Sequence, residues 1–112
     1  MFGCGWIQDF HARGVLEHGA TIVAVANHRE GTARAFAQRY GIPRVTTDWE
    51  ALAADPEVEA AIVSTPNALH APQSIALLRN GKHVMVEKPM ATSVAECDEM
   101  VARATISAVV GR

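Results

Sequence analysis

The chain has 112 residues, of which 49% are hydrophobic and 20% charged, and its formal net charge is −2. This composition is that of an ordinary soluble globular protein, and the length allows one domain at most. The small negative charge gives no electrostatic case for binding nucleic acid or an anionic membrane. No apolar run approaches the roughly 20 residues that span a bilayer.

The two cysteines, Cys4 and Cys97, lie far apart and lack the spacing of a metal site. We therefore predict no metal and two free thiols, which is the usual state of cysteines in a reducing cytoplasm. The first residues also lack the charged and apolar regions of a signal peptide. Together these features favour a cytoplasmic location.

The first element is a glycine-rich turn that follows a very short strand, residues 1–2. Gly3 and Gly5 match the first two positions of the G-x-G-x-x-G pattern, in which the backbone approaches a pyrophosphate. The third position is Gln8, whose long side chain we expect to hold the next helix, residues 7–17, further from the strand. Because Gly-x-Gly is common in loops, this turn alone is weak evidence for a nucleotide site.

Residues 21–26 are apolar without alternation, which is typical of a strand buried on both faces. The run ends at Asn27 and Arg29, where the dinucleotide pattern places the residue that reads the ribose. An acid at this place binds the 2′-hydroxyl of NAD, whereas Asn27 does not repel a 2′-phosphate and Arg29 can pair with one. We therefore favour NADP over NAD. A solvated arginine in a polar loop is nearly as good an interpretation.

We interpret the residues in the middle of the chain as structural, not as part of a ligand site. A helix is predicted for residues 32–40, followed by a short strand at residues 44–46. Asp48 is then the expected N-cap of a brief helix. We interpret Trp49, within that helix, as a core anchor.

A further buried strand, residues 60–64, is followed by a helix with Pro72 in its first turn. Polar groups after a buried strand are typical of a ligand-facing loop. Asn67 and His70 are therefore candidates to hydrogen-bond ribose hydroxyls or a substrate. The alternative for His70 is a capping or packing residue, which is the commoner role of a single histidine.

A short apolar run after Gly81 predicts a strand that ends at Glu87 and Lys88, and Pro89 stops it. In an open parallel sheet, ligands bind beyond the carboxyl ends of the strands, so a lysine there is placed for chemistry. The alternative is a solvated pair of charges. Taken alone, the dipeptide favours that alternative.

The last helix is predicted from its capping box, Ser93 with Glu96. We expect its apolar stripe, Val94, Cys97, Val101 and Ala104, to face the core. Residues 106–110 are predicted to begin another strand.

Strands that alternate with helices predict a series of right-handed βαβ units. The expected fold is α/β, a Rossmann-like doubly wound parallel sheet in three α/β/α layers. We expect residues 1–112 to form one nucleotide-binding domain, in which the ends of several strands bring polar groups to one edge.

The chain resembles the N-terminal domain of the glucose–fructose oxidoreductase, inositol dehydrogenase and rhizopine-catabolism (Gfo/Idh/MocA) family. Three stretches carry the resemblance and together cover nearly the whole chain. They are Gly3 to Ile7 with His11, Ser64 to Asn67 with His70, and Gly81 to Val84 continuing through Glu87 to Ala91. Residues 82–92 are particularly similar to the glucose–fructose oxidoreductases, which carry NADP.

The resemblance implies an NAD(P)-binding domain of an oxidoreductase that transfers hydride between the cofactor and a sugar, polyol or related alcohol. It implies that Lys88 is catalytic and reaches the substrate hydroxyl or carbonyl. The implied cofactor residues are Gly3, Cys4, Gly5, Trp6 and Ile7 at the pyrophosphate, Asn27 and Arg29 at the adenosine ribose, Thr65, Pro66, Asn67 and His70 toward the nicotinamide, and Glu87 at the nicotinamide's ribose or carboxamide side, with Pro89 following.

The family's second domain, which bears the substrate pocket and a catalytic histidine, has no counterpart in the chain. We therefore expect a fragment, truncated at both ends and inactive alone, with any homo-oligomer formed through the absent domain. The alternative is a non-catalytic NAD(P)-binding module with a regulatory or sensing role.

Overall fold

The computed structural model describes residues 1–106, with side chains through residue 104. Helices and strands alternate along this part of the chain. In order they are α1 (Trp6–Glu17), β1 (Ala24–Ala26), α2 (Glu30–Tyr40), β2 (Arg44–Thr46), α3 (Trp49–Ala53), β3 (Ala60–Val63), α4 (Asn67–Arg79), β4 (His83–Val86) and α5 (Val94–Ile106).

The strands are arranged about a single central residue, Phe2. Strand β1 pairs in parallel with β2, and β3 pairs in parallel with β4. Phe2 bridges in parallel to both Ala26 and Val63, so the order across the sheet is β2, β1, Phe2, β3, β4. The backbone N–H of Phe2 donates to the Ile62 carbonyl at 2.9 Å, and the N–H of Ser64 donates to the Phe2 carbonyl at 2.9 Å.

This order confirms the Rossmann-like doubly wound fold. The chain builds the β1 side of the sheet first and then crosses Phe2 to build the β3 side, which makes Phe2 the switch point. Apolar clusters cover both faces. Val25 packs with α1 and α2 residues such as Ala12 and Phe36, whereas Ala24 and Ala26 pack with α3 and α4 residues such as Leu52 and Leu77.

Several local predictions are confirmed. Strand β2 has its predicted bounds. The Asp48 carboxylate caps α3 by accepting from the Ala51 N–H at 3.1 Å. Trp49 packs against the core, with its ring 6.5 Å from that of Phe2. Both cysteines are free.

Two local predictions are wrong at the helices. Helix α4 begins at Asn67, so Pro72 lies in its second turn and not in its first. On α5, Val94 and Val101 are 77% and 57% exposed, whereas Met100 is 4% exposed. The predicted stripe is therefore rotated away from the core, and an exposed ion pair of 3.1 Å from Arg79 to Glu99 links α4 to α5 beside Met100.

The remaining local predictions concern the last helix, α5, and the residues that follow it. The predicted strand within residues 106–110 lies outside the described residues, except that Ile106 ends α5. Ser93 caps α5 as predicted, and the Glu96 carboxylate accepts hydrogen bonds from Ser93, as the capping box requires, and also from Thr92. Among residues 1–106, none of the helices has the length and apolar character needed to cross a membrane.

Candidate cofactor-binding site

A groove of about 430 Å³ lies at the carboxyl edge of the sheet. Three loops form it, and each follows a strand or the central residue Phe2. The first contributes Gly3, Cys4 and Gly5, the second Asn27, His28, Arg29 and Thr32, and the third Ser64, Thr65 and Pro66.

The glycine turn is shaped for close backbone approach. Gly3 has a φ of +91°, and a Cβ there would lie 2.9 Å from the Ser64 carbonyl oxygen. Gly5 is the N-cap of α1 and provides no side-chain cap. A Cβ on Gly5 would meet nothing within 4 Å. The first N–H groups of α1 therefore remain available to an anion such as a pyrophosphate.

Gln8, which departs from the glycine pattern and was expected to hold α1 further from the strand, supports this turn. Its side chain is fully buried. The amide Nε2 donates to the carbonyls of Phe2 and Gly3 at 3.2 Å each and to that of Ile62 at 3.3 Å. The long side chain thus fastens α1 to the central residue and to β3, because it satisfies carbonyls that a glycine or alanine would leave without this donor.

The second loop is suited to a ribose and its substituents. The Asn27 amide donates to the Arg29 carbonyl at 3.1 Å, which leaves the Asn27 side-chain oxygen to accept from a hydroxyl. The exposed Arg29 guanidinium has no hydrogen bond or ion pair with the part of the chain that the structure describes. His28 and Thr32 line the same end of the groove and were missed by the sequence prediction, although their place after a buried strand could have indicated them.

The third loop has a polar floor. The Ser64 hydroxyl, also missed from sequence, is buried and has no partner among residues 1–104. The Thr65 hydroxyl donates to the Gln73 side-chain oxygen at 2.6 Å, so the backbone of Thr65 is what faces the groove. An unpaired buried hydroxyl beside a groove is a group that a polar ligand can satisfy.

His70 lies under this edge and is 2% exposed. Its Nε2 is 2.7 Å from the Thr65 carbonyl oxygen and its Nδ1 is 2.6 Å from that of Pro89. Both ring nitrogens are thereby occupied by backbone. This geometry favours the packing interpretation of His70 over direct contact with ribose or substrate.

The end of β4 lies at the same edge. The Glu87 N–H donates to the Val63 carbonyl at 2.9 Å. The Glu87 carboxylate is 3.2 Å from Nε2 of His11 on α1, a contact that the sequence prediction missed. Lys88 is exposed and joined to the exposed Pro89 by a cis peptide bond.

The remaining predicted residues differ in their exposure, and their roles stay predictions. The Cys4 thiol is buried in the core, and burial raises its pKa, so it stays protonated at neutral pH. Trp6 is 75% exposed and packs edge-on against Phe10, 6.0 Å away, on the outer side of α1. Ile7 is half-buried in the first turn of α1, and Asn67 is the exposed first residue of α4.

The groove has four features that fit the phosphates and sugars of a dinucleotide. They are the close-approach glycine Gly3, the uncapped start of α1, and the Ser64 hydroxyl and Arg29 guanidinium, which are unpaired within the described residues. The fold and the groove therefore define a dinucleotide-binding Rossmann domain. No cluster of three or more His, Cys, Asp or Glu side chains suited to a metal ion occurs within the described residues.

Comparison with known protein families also identifies a dinucleotide-binding Rossmann domain. The Gfo/Idh/MocA family model, described as an oxidoreductase family with an NAD-binding Rossmann fold, matches residues 1–110. The chain belongs to this family and is an NAD-binding domain of its oxidoreductases. The family resemblance predicted from sequence is thereby confirmed.

Curated relatives share this region. Trans-1,2-dihydrobenzene-1,2-diol dehydrogenase of Mus musculus is 43% identical over 83 residues, 74% of this chain and 25% of that protein. The 1,5-anhydro-D-fructose reductase of Ensifer adhaerens is 39% identical over 92 residues, 82% of this chain and 28% of that protein. The NADP(+) scyllo-inositol 2-dehydrogenase of Bacillus subtilis is 30% identical over 111 residues, 98% of this chain and 34% of that protein.

Solved structures show the same fold. Biliverdin reductase from Synechocystis, in complex with biliverdin and NADP+, has a TM-score of 0.91 at 27% identity, covering 97% of this chain and 34% of that chain. The WlbA dehydrogenase from Chromobacterium violaceum, in complex with NADH and UDP-GlcNAcA, has a TM-score of 0.88 at 32% identity, covering 96% and 32%. The chain thus spans about a quarter to a third of the relatives it matches.

We predict that Gly3→Ala weakens nicotinamide nucleotide binding by at least about tenfold and lowers stability by about 2 kcal/mol or more, because Cβ would strain the turn against Ser64. Fluorescence titration and urea denaturation measure the two effects. Gly14→Ala is the matched control. It lies within α1, where a Cβ meets nothing within 4 Å, so it should be neutral or stabilising. Equal behaviour of the two variants would contradict the role of Gly3.

Proposed function

We propose that residues 1–112 form the cofactor domain of an NADP-preferring oxidoreductase acting on a sugar, polyol or related alcohol, with Lys88 as the catalytic residue. The substrate domain would be supplied by further chain. One observation carries the proposal: the glycine turn, the Arg29 loop and the end of β4 meet at one edge of the sheet around Phe2. The alcohols and sugars named for several relatives support the substrate class.

The side chain of Lys88 is chemically suited to contact the substrate oxygen at which charge develops during hydride transfer. Bound with its ring at this end of the groove, a nicotinamide would supply hydride transfer. The Lys88 ammonium would donate a hydrogen bond to the substrate oxygen and stabilise the negative charge that develops on it. In the reducing direction the ammonium can give a proton to this oxygen, and in the oxidising direction the neutral amine can accept the hydroxyl proton. Because the Lys88 side chain has no partner within the described residues, it is available for this contact.

Arg29 supports the preference for NADP. Its planar guanidinium can bind a 2′-phosphate through two parallel hydrogen bonds. Neither Asn27 nor the neighbouring His28 carries a carboxylate that would repel that phosphate. The loop therefore lacks the acid that accepts the 2′-hydroxyl in NAD-selective domains.

We predict that the chain binds NADPH more tightly than NADH, and that Arg29→Ala weakens NADPH binding by about tenfold while changing NADH binding little. Nicotinamide fluorescence titration measures both affinities. Arg34→Ala is the control, because Arg34 lies on α2, outside the groove, and pairs with Glu30 at 3.1 Å. An unchanged NADPH preference in Arg29→Ala would remove the proposed role of Arg29.

A second prediction concerns Lys88 directly. The sequence contains two lysines, and Lys82 donates to the Asp55 carbonyl at 2.7 Å near the amino end of β4, away from the groove. After reductive methylation with ¹³C, NADPH should shift the methyl signals of Lys88 and leave those of Lys82 unchanged. A Lys82→Arg variant assigns the signals. A saturated chain whose Lys88 signals stay in place would contradict the catalytic role.

A further inference from the structure

The two residues that flank Lys88 are both held by histidines, although Lys88 itself is not held. His11 contacts the Glu87 carboxylate, and His70 contacts the Pro89 carbonyl. The histidines come from different helices, α1 and α4. This pattern extends the site beyond the residues that line the groove.

His11 holds the first neighbour. Its Nε2 lies 3.2 Å from Oε1 of Glu87, with the two side chains 16% and 30% exposed. The Glu87 backbone is held as well, by the bond from its N–H to the Val63 carbonyl. Because Gly5 in the groove is the N-cap of α1, the helix whose first N–H groups face the groove also fixes the Glu87 side chain.

His70 holds the second neighbour from beneath. A carbonyl oxygen can only accept, so both of its short contacts require a proton on the ring nitrogen concerned. A neutral imidazole donates to one of these carbonyls, and the imidazolium donates to both. The ring thus lies between Thr65, which lines the groove, and Pro89, which follows Lys88, and it donates to at least one of their carbonyls.

A purely space-filling role does not account for these contacts. An apolar side chain would fill a buried position without requiring hydrogen-bond partners. At His70 the two carbonyls instead belong to two different loops of the same edge. Each contact fixes backbone or a carboxylate next to Lys88, whose own side chain remains available.

We propose that His11 and His70 are positioning residues that hold residues 87–89 so that Lys88 meets the nicotinamide and substrate. This inference rests on the proposed function, in which Lys88 is catalytic. Each histidine lies on a helix that follows a groove loop, so the same two helices align the Lys88 segment with the bound nucleotide. Pre-organisation of this kind contributes to catalysis by fixing the reacting groups relative to each other.

The test compares His11→Leu and His70→Leu with His83→Leu. His83 is exposed at the amino end of β4, so its substitution is the matched control. We expect amide hydrogen exchange of Glu87, whose N–H bonds to Val63, to become about tenfold faster in the first two variants and to stay unchanged in the control. The NADPH-induced shift of the methylated Lys88 signals should fall in the same two variants, while NADPH affinity changes by less than about threefold.

Conservative variants separate positioning from folding. His11→Gln and His70→Gln keep a side-chain N–H donor and should recover part of the slow exchange and of the Lys88 signal shift. His11 is partly exposed, so its variants keep the test decisive if His70→Leu fails to fold. Glutamine and leucine variants that behave alike would overturn the hydrogen-bonding role.

The outcomes for this inference and for the proposed function are distinct. Exchange rates and Lys88 shifts that stay unchanged in every histidine variant, with NADPH still bound, would overturn the inference and leave the proposed function intact. If NADPH does not move the Lys88 signals of the unsubstituted chain, the proposed function fails, and the placement of Lys88 for catalysis fails with it. Exchange rates would then report only whether the histidines order residues 87–89.

Discussion

The pairing of Phe2 between β1 and β3 is the constraint on which the rest of the structure depends. Its backbone N–H and carbonyl bond to Ile62 and Ser64 on the β3 side, while the neighbouring Met1 carbonyl and Gly3 N–H bond to Ala26 of β1. The Phe2 side chain is 1% exposed between the packed helices. The chain leaves this position through Gly3, where only a glycine fits against the Ser64 carbonyl. The groove opens here because the sheet continues in opposite directions on the two sides of Phe2.

Much of this arrangement could be predicted because its signals are local. Continuous apolar runs identified β1 and β3, and Asp48 marked the start of α3. Parallel strands bring their carboxyl ends to one edge, so the loops containing Gly3 and Arg29 could be placed together without coordinates. The same reasoning placed Lys88 at that edge, where its predicted role remains to be tested.

The rest depends on contacts between residues that are distant in sequence. Gln8 was judged by its departure from a pattern, yet its amide finds carbonyl partners on Phe2 and β3 that no local signal shows. His70 was taken as a ligand candidate, but the fold buries it between two loops. The stripe of α5 was misjudged because the packing of α4, and not periodicity alone, decides which face is buried.

The most direct measurement is a crystal structure of the chain with NADPH. The account predicts the pyrophosphate over Gly3 and Gly5, the 2′-phosphate against Arg29 and the nicotinamide ring beside Lys88. The opposite edge of the sheet carries another cavity, of about 540 Å³, lined by apolar residues such as Val23 and Val58. Nucleotide bound in that cavity, or in the groove with its ring directed away from β4, would contradict the account.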